Sequence, residues 1–168
     1  MEVVLRKATI NDLQTLTKWD QADHLVGQVP TDDWHWEEEL KEESDWRYQF
    51  IAEVKGDPIG YIDIIDPYFE PSKYWGAIGM GFRALDIWIG EKDFLGKGYG
   101  TRMMLKAIDF CFADQSVHTI VLDPFKENIR AHQFYERLGF EFLEERNFDG
   151  DDCFVYHLTR NIYHAKNL

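Results

Sequence analysis

The chain has 168 residues, 45% of them hydrophobic and 15% aromatic, which is enough for one domain with one core. Lys and Arg number 18 against 31 Asp and Glu, and the net charge of −13 disfavours nucleic acid and anionic membranes as partners. No stretch approaches the ~20 apolar residues of a membrane-spanning helix, and the apolar part of the N-terminus is too short for a signal peptide. We therefore expect a single domain over residues 1–168, in the cytoplasm, as a monomer or homodimer.

The acid excess favours a cationic ligand, although acidic surfaces also keep proteins in solution. Two cysteines, Cys111 and Cys153, are too few for a disulfide framework or a metal cluster. The six histidines are scattered without the spacing of metal ligands. We expect no metal site.

Hydrophobic periodicity predicts strands and helices in alternation. The predicted strands are Val3–Ala8, Tyr48–Val54, Ile59–Ile65, Ala84–Ile89, His118–Leu122, one from Phe140, and Phe154–Leu158. The predicted helices are one capped by Asn11, one starting near Thr31, Thr101–Phe112, and Ile129–Leu138. The predicted turns are Lys55–Pro58 and Asp149–Asp152, and the predicted tail is Asn161–Leu168.

The longest segment without predicted secondary structure is Asp66–Arg83, and loops of this length are usually functional or mobile. It carries a mixture of acids and aromatics suited to binding a polar cation: Asp66, Tyr68, Glu70, Tyr74 and Trp75. Earlier in the chain, Trp34 and Trp36 are open to two interpretations, as core residues or as the wall of a ligand pocket.

Three alternating glycines, Gly96, Gly98 and Gly100, separate the strand ending at Ile89 from the following predicted helix. Glycines permit a tight turn with accessible N–H groups, and the first N–H groups of a helix carry partial positive charge. This pattern predicts an anion site, most often for phosphate. The spacing fits neither a Walker A loop nor a dinucleotide fingerprint. A pyrophosphate cradle of another kind and a turn without a ligand both stay open.

The element order and two motifs resemble the GNAT superfamily of acetyl-CoA-dependent N-acyltransferases. The first motif is the glycine turn, and the second is N-x-x-A-x-x-x-Y, from Asn128 to Tyr135. The resemblance covers nearly the whole chain. It implies an α/β (α+β) fold with a mixed, mostly antiparallel central sheet of six to seven strands, flanked by helices and splayed near the acetyl-CoA site.

The same resemblance implies that backbone N–H groups of the glycine turn bind the pyrophosphate of acetyl-CoA. Asn128 would contact the cofactor, and Tyr135 would lie near the thioester sulfur. The implied cofactor-binding residues are Trp88, Ile89, Leu95, Gly96, Lys97, Gly98, Tyr99, Gly100, Thr101, Asn128 and Arg130. Leu95 departs from the Arg or Gln that the family often has there, so binding would depend more on the backbone, Lys97 and Arg102.

Within the superfamily, the segments Leu85–Gly90 and Asp123–Pro124 are similar to aminoglycoside 6′-N-acetyltransferases. Asp86 then corresponds to their base and Asp123 to a substrate-binding aspartate. Together with the residues indicated by composition, the predicted substrate-binding set is Trp34, Asp66, Glu70, Asp86, Asp123 and Asp152, of which the resemblance implies Asp86 and Asp123. The expected reaction is acetyl transfer to a primary amine of a polycationic small molecule, with the 6′-amine of an aminoglycoside, and hence antibiotic resistance, as the first choice.

In the implied mechanism Asp86 takes a proton from the amine, directly or through water. A backbone N–H near Trp88 and Ile89 stabilises the oxyanion, and Tyr135 protonates the leaving thiolate. Two alternatives stay open. The acceptor could be a protein N-terminus, a siderophore or another polyamine, or the chain could be a non-catalytic acyl-CoA-binding module that needs neither Asp86 nor Tyr135.

Overall fold

A computed structural model describes residues 2–25 and 34–166 of the chain. Its strands are β1 (Val4–Lys7), β2 (Arg47–Val54), β3 (Asp57–Ile65), β4 (Phe82–Ile89), β5 (Thr119–Leu122), β6 (Glu141–Phe148) and β7 (Asp151–Thr159). Its helices are α1 (Leu13–Asp20), α2 (Trp36–Glu39), α3 (Tyr99–Ala113), α4 (Ile129–Arg137) and α5 (Arg160–Lys166). No helix in these described ranges is long and apolar enough to cross a membrane.

The strands form a seven-stranded sheet in the order β1-β2-β3-β4-β5-β7-β6. β4 and β5 run parallel, with Ala84 opposite Val121, whereas β1 with β2, β5 with β7 and β6 with β7 are antiparallel. Parallel neighbours need a long crossover connection, and α3 lies within it. The predicted mixed, mostly antiparallel sheet is therefore confirmed, while its splaying near an acetyl-CoA site stays a prediction.

The chain divides into two compact units. The first comprises Met1–Ile64 and Asp86–Lys106, and the second comprises Ile65–Leu85 and Ala107–Leu168. The core of the first unit is built on buried aromatic and aliphatic side chains: Ala8, Leu16, Trp19, Leu25, Trp36, Ile51, Tyr61 and Trp88. The core of the second unit is the buried cluster Trp75, Ala84, Val121, Phe148, Cys153 and Val155. The single domain expected over residues 1–168 stays a prediction.

The β2–β3 hairpin is present as predicted, but its turn is shorter. Lys55 and Gly56 both have positive φ, at 56° and 87°, the geometry of a two-residue turn that matches the twist of paired strands. Since two such residues complete the reversal, Asp57 and Pro58 already belong to β3. The predicted turn of Lys55–Pro58 is therefore too long by two residues.

The start of α1 also differs from the prediction. Asn11 lies inside the 3₁₀ turn Ile10–Asp12 rather than at the helix cap. The Asp12 carboxylate instead accepts a hydrogen bond from the Thr9 N–H at 2.9 Å. The predicted start of the second helix at Thr31 lies outside the described residues.

The C-terminal segment is a helix, so the prediction of a tail over Asn161–Leu168 is wrong for its described part. α5 begins at Arg160, whose guanidinium donates to the carbonyls of Phe112, Asp114 and Val117 at 2.6 to 3.0 Å. These acceptors lie more than 40 residues earlier in the chain, so local sequence patterns do not show what holds the helix.

We predict that Arg160→Gln lowers the free energy of unfolding by about 1–3 kcal/mol, because it removes donors from carbonyl oxygens that are partly shielded from water. Urea unfolding followed by circular dichroism measures the change. The matched control is Arg137→Gln, which alters an exposed arginine in the last turn of α4. Equal losses in the two variants would contradict an anchoring role for Arg160.

Candidate active site

The glycine turn leads directly into α3 in the first unit. Gly96 and Gly98 have φ of 69° and 79°, the left-handed region that glycine adopts at little cost. Within residues 2–25 and 34–166, the N–H groups of Gly96, Lys97 and Gly98 donate to no protein acceptor. These three residues are exposed. Free N–H groups at the start of a long helix fit the requirement of an anionic pyrophosphate.

The residues after the turn add positive charge at the same helix start. The Arg102 guanidinium lies over the Tyr99 ring, 5.3 Å from its centroid, and the Phe94 ring packs edge-on against Tyr99 at 5.2 Å. Tyr99 is buried, whereas Lys97 and Arg102 are exposed. Leu95, Gly100 and Thr101 are half-buried. The cations and the free N–H groups therefore lie within one short segment.

Asp86 lies on β4, half-buried, two residues before the buried Trp88 and therefore on the same face of the strand. The Trp88 ring is 4.7 Å from the ring of Tyr61 and 5.4 Å from that of Trp34. Trp34 in turn stacks on Trp36 at 5.2 Å, with only 9° between the ring planes. Trp36 is thus a core residue, while the half-buried Trp34 lies at the edge of the aromatic cluster.

Ile89 closes β4, and its carbonyl accepts a hydrogen bond from His24 Nε2 at 2.9 Å. Because a carbonyl can only accept, the proton of the His24 ring is on Nε2 in a neutral imidazole. This contact fixes the strand end that precedes the glycine turn.

An ion pair in the first unit was missed by sequence reasoning. Asp63 on β3 is completely buried, and the Arg47 guanidinium on β2 donates to its carboxylate at 2.6, 2.8 and 3.1 Å. Arg47 also pairs with Glu39 of α2. Burial raises the pKa of the Asp63 carboxyl, and the hydrogen-bonded Arg47 acts in the opposite direction. The available signal was an acid inside the apolar run Ile62–Ile65, which a buried strand tolerates only with a partner.

The second unit positions the N-x-x-A-x-x-x-Y motif on α4. The Asn128 side chain caps the helix by accepting a hydrogen bond from the Ala131 N–H at 3.0 Å. Tyr135 is buried, with ring contacts to Phe140 at 5.9 Å and Tyr156 at 6.3 Å. Arg130 is exposed on the first turn. The capping amide retains its NH₂ group, which is the part of Asn128 able to donate to a ligand.

Asp123 follows β5 and accepts a hydrogen bond from the Tyr74 hydroxyl at 2.6 Å. The Tyr74 ring stacks on Phe148 at 4.6 Å, and the Arg146 guanidinium lies over Phe148 at 5.2 Å. Burial raises the pKa of Asp123, and the Tyr74 hydroxyl and the Arg146 charge oppose that shift. Tyr74 was noted in the loop composition but not as a site residue, because its partner lies 49 residues away.

The other predicted substrate-binding acids bind protein groups. Asp66 is buried, and its two oxygens accept from Arg83 at 2.5 Å and from the Tyr68 N–H at 3.1 Å. Glu70 accepts from the N–H groups of Ser72 and Tyr74 at 2.6 and 3.1 Å. These contacts shape the loop that follows β3. Asp152 is exposed on β7, where it accepts from the Asn147 side chain at 2.7 Å.

A family model described as an acetyltransferase (GNAT) domain matches residues 9–148. The chain therefore belongs to the GNAT family and is an N-acetyltransferase of a family that uses acetyl-CoA. It is 30% identical over 153 residues to aminoglycoside N(6′)-acetyltransferase type 1 of Klebsiella pneumoniae, covering 83% of this chain and 74% of that protein. A 74-residue stretch, 44% of this chain and 49% of the relative, is 34% identical to a probable spermine N(1)-acetyltransferase of Bacillus subtilis subsp. natto.

Solved structures share the fold. The aminoglycoside acetyltransferase AAC(6′)-Ib in complex with coenzyme A superposes with a TM-score of 0.87 at 25% identity, covering 99% of this chain and all of that one. A spermidine N-acetyltransferase from Vibrio cholerae in complex with coenzyme A and spermine shares the fold, with a TM-score of 0.77 at 20% identity over 97% of this chain and 98% of that one.

We predict that Asp123→Asn raises the free energy of unfolding at pH 7.5, by about 0.5–2 kcal/mol, the usual gain from one stabilising substitution. The folded-state pKa of Asp123 is raised, so its ionisation costs stability once the pH exceeds the unfolded-state value of 3.8. The gain should shrink towards zero as the pH falls to about 4. Urea unfolding between pH 4 and 8 measures it.

The control for this substitution is Asp151→Asn, which neutralises an exposed carboxylate on β7. It should leave stability unchanged across the same pH range. A stability loss at pH 7.5 in Asp123→Asn would show that the Asp123 charge is stabilising and would contradict the prediction.

Proposed function

We propose that the protein transfers the acetyl group of acetyl-CoA to a primary amine of a polycationic small molecule, with the 6′-amine of an aminoglycoside as the first candidate. The role that follows is resistance to that class of antibiotic. The observation that carries the proposal is the segment from Asp86 to Arg102. It combines a half-buried carboxylate on β4 with a turn of free N–H groups at the start of α3.

Binding of acetyl-CoA would depend on the backbone of the glycine turn. The N–H groups of Gly96, Lys97 and Gly98 donate to the pyrophosphate, and Lys97 and Arg102 add charge. Leu95 supplies no cation, so the backbone contribution is larger than in relatives with Arg or Gln there. The Asn128 amide donates to the pantetheine part, and Arg130 adds a third exposed cation.

Acetyl-CoA supplies the activated acetyl group, and the chain supplies the proton transfers. Asp86 removes a proton from the acceptor ammonium, because only the neutral amine is a nucleophile. A backbone N–H at Trp88 or Ile89 stabilises the negative charge that develops on the carbonyl oxygen. The Tyr135 hydroxyl gives its proton to the departing sulfur. The burial of Tyr135 limits competing exchange with water.

The acceptor would be held by acids and one aromatic wall. Trp34 offers a ring face at the edge of its cluster, and the Asp123 and Asp152 carboxylates bind ammonium groups. Asp66 and Glu70 contribute by holding the loop after β3, since their oxygens already accept protein hydrogen bonds. The net charge of −13 attracts polycations over a longer range.

A linear polyamine is the second candidate acceptor. The observation that favours it is the 34% identity over 74 residues to a probable spermine N(1)-acetyltransferase. Polyamines carry the same primary ammonium groups as aminoglycosides but no sugar rings. A rigid ring system gains more from the Trp34 face, so we rank the aminoglycoside first.

We predict that Gly98→Ala weakens coenzyme A binding by about tenfold, because a side chain at φ of 79° strains or shifts the turn that presents the N–H groups. Isothermal titration calorimetry with coenzyme A measures the affinity. The matched control is Gly56→Ala, since Gly56 also has a positive φ of 87° and neither site has an atom within 4 Å of an added Cβ. Equal loss of affinity in both variants would contradict a role for the turn.

The acceptor class is tested by a screen with purified protein and acetyl-CoA, following the release of free thiol. The candidates are kanamycin, spermine, a siderophore amine and a peptide with a free N-terminus. We expect the highest kcat/KM for kanamycin and acetylation of its 6′-amine. Transfer to the peptide alone would overturn the proposed acceptor.

We predict that Asp86→Asn and Tyr135→Phe each lower kcat for kanamycin acetylation by about 10²–10⁴-fold, the usual contribution of one acid or base. Coenzyme A affinity should change little in either variant. If both retain full activity, the proposed proton transfers are wrong. If wild-type protein binds coenzyme A but acetylates no amine, the chain is an acyl-CoA-binding module.

A further inference from the structure

The pairing of β3 with β4 places two carboxylates opposite each other. The Gly90 N–H donates to the Ile59 carbonyl at 2.9 Å, and the rings of Tyr61 and Trp88 are 4.7 Å apart. Going along β3 from 59 to 61, the contacts move back along β4 from 90 to 88, so the two strands run antiparallel and the same register pairs 63 with 86. Asp63 and Asp86 are therefore cross-strand neighbours on one face.

The Cβ atoms of directly opposed residues are only about 4.5–5.5 Å apart. Two ionised carboxylates at this separation repel each other, and without a cation nearby the stable state is one proton shared between them. Asp63 is completely buried and Asp86 half-buried, so water screens the repulsion weakly. A neighbouring cation is needed for both to remain ionised.

Arg47 is that cation. Its guanidinium makes three hydrogen bonds with the Asp63 carboxylate, at 2.6 to 3.1 Å, and its side chain is only 15% exposed. Its charge also interacts with Asp86 and with the Tyr61 ring system. One guanidinium therefore interacts with both of the opposed aspartates.

We infer that Arg47 is a positioning residue that keeps Asp86 ionised at neutral pH by binding Asp63 and preventing the two aspartates from sharing a proton. Arg47 acts on Asp86 through Asp63 and through its own charge. The inference rests on the proposed function for one point, that Asp86 is the base. The charge state of Asp86 itself can be measured without any reaction.

The titratable and charged groups that surround Asp86 come from three neighbouring elements. β2 contributes Arg47, β3 contributes Tyr61 and Asp63, and α2 contributes Glu39 through its pair with Arg47. On β4 itself, Arg83 lies on the opposite face and pairs with Asp66 and Asp114. Among these groups, Arg47 is the cation whose charge acts on Asp86, and Asp63 is the carboxylate opposite it.

The test is a titration of aspartate side-chain carboxyls by ¹³C NMR in the unliganded protein. The Asp86 signal is assigned by its absence from Asp86→Asn. In Arg47→Gln the two carboxylates share a proton, so the midpoint of Asp86 should rise by about one pH unit or more. In Asp63→Asn the opposed charge is gone while Arg47 remains, so the midpoint should fall. The double variant should return towards wild type.

The matched control is Arg83→Gln, which removes an arginine of similar side-chain exposure, 12% against 15%. It should leave the Asp86 midpoint unchanged. The acidic limb of kcat/KM against pH should follow the NMR midpoints in each variant. A purely structural role for Arg47 would lower stability without moving either quantity.

Opposite shifts in Arg47→Gln and Asp63→Asn support the inference. An unchanged Asp86 midpoint in Arg47→Gln, or shifts of the same sign in both variants, overturns it. If Arg47→Gln fails to fold, the downward shift expected in Asp63→Asn decides the question. Full activity of Asp86→Asn would refute the base role alone, because the NMR midpoints still report on Arg47.

Discussion

Placing the Asp63 carboxylate in the middle of β3 removes it from water, which costs several kcal/mol unless a cation accompanies it. The cation is Arg47, and its second partner is Glu39. β2, β3 and α2 must therefore meet in one register before the charge can be buried. The neighbouring rings of Tyr61, Trp36 and Trp88 pack on the same elements, so the ion pair and the aromatic cluster of the first unit constrain each other.

The second unit also shields a carboxylate from water, but it pairs that carboxylate with different groups. Within the described residues, Asp123 is held by a tyrosine hydroxyl and not by a direct ion pair, and the ring of that tyrosine is stacked on Phe148. Burial raises the pKa of Asp123, because a neutral hydroxyl offsets the loss of water less than a bonded cation would. Asp66, by contrast, is neutralised by Arg83 at 2.5 Å. The difference in partners distinguishes Asp123, an acid that can bind an ammonium group, from Asp66, an acid that holds a loop.

The parts of the fold that were predicted from sequence have local causes. The hairpin follows from Lys55 and Gly56, and the turn before α3 follows from Gly96 and Gly98, whose positive φ glycine adopts at little cost. The parts that were missed depend on distant partners. α5 is held by bonds from Arg160 to carbonyls more than 40 residues away, and no periodicity in its own residues reports them.

The residues of the candidate site show the same difference between local and distant causes. Asp86 and Tyr135 were predicted from the resemblance to acetyltransferase motifs, in which a strand, a turn and a helix start have fixed spacing. Arg47 and Tyr74 were not, because each acts on a carboxylate in another element and carries no motif of its own. Asp63 could have been suspected from its apolar neighbours, but its partner could not have been named.

This difference between local and distant causes explains why the family assignment and the proposed acceptor rest on different evidence. The fold persists at 25% identity with a TM-score of 0.87 and at 20% with 0.77, so it tolerates change at most positions. Acceptor recognition would depend on a few side chains, such as the proposed Trp34 and Asp123, which the fold alone does not constrain. A family with one fold can therefore include relatives named for aminoglycosides and relatives named for polyamines.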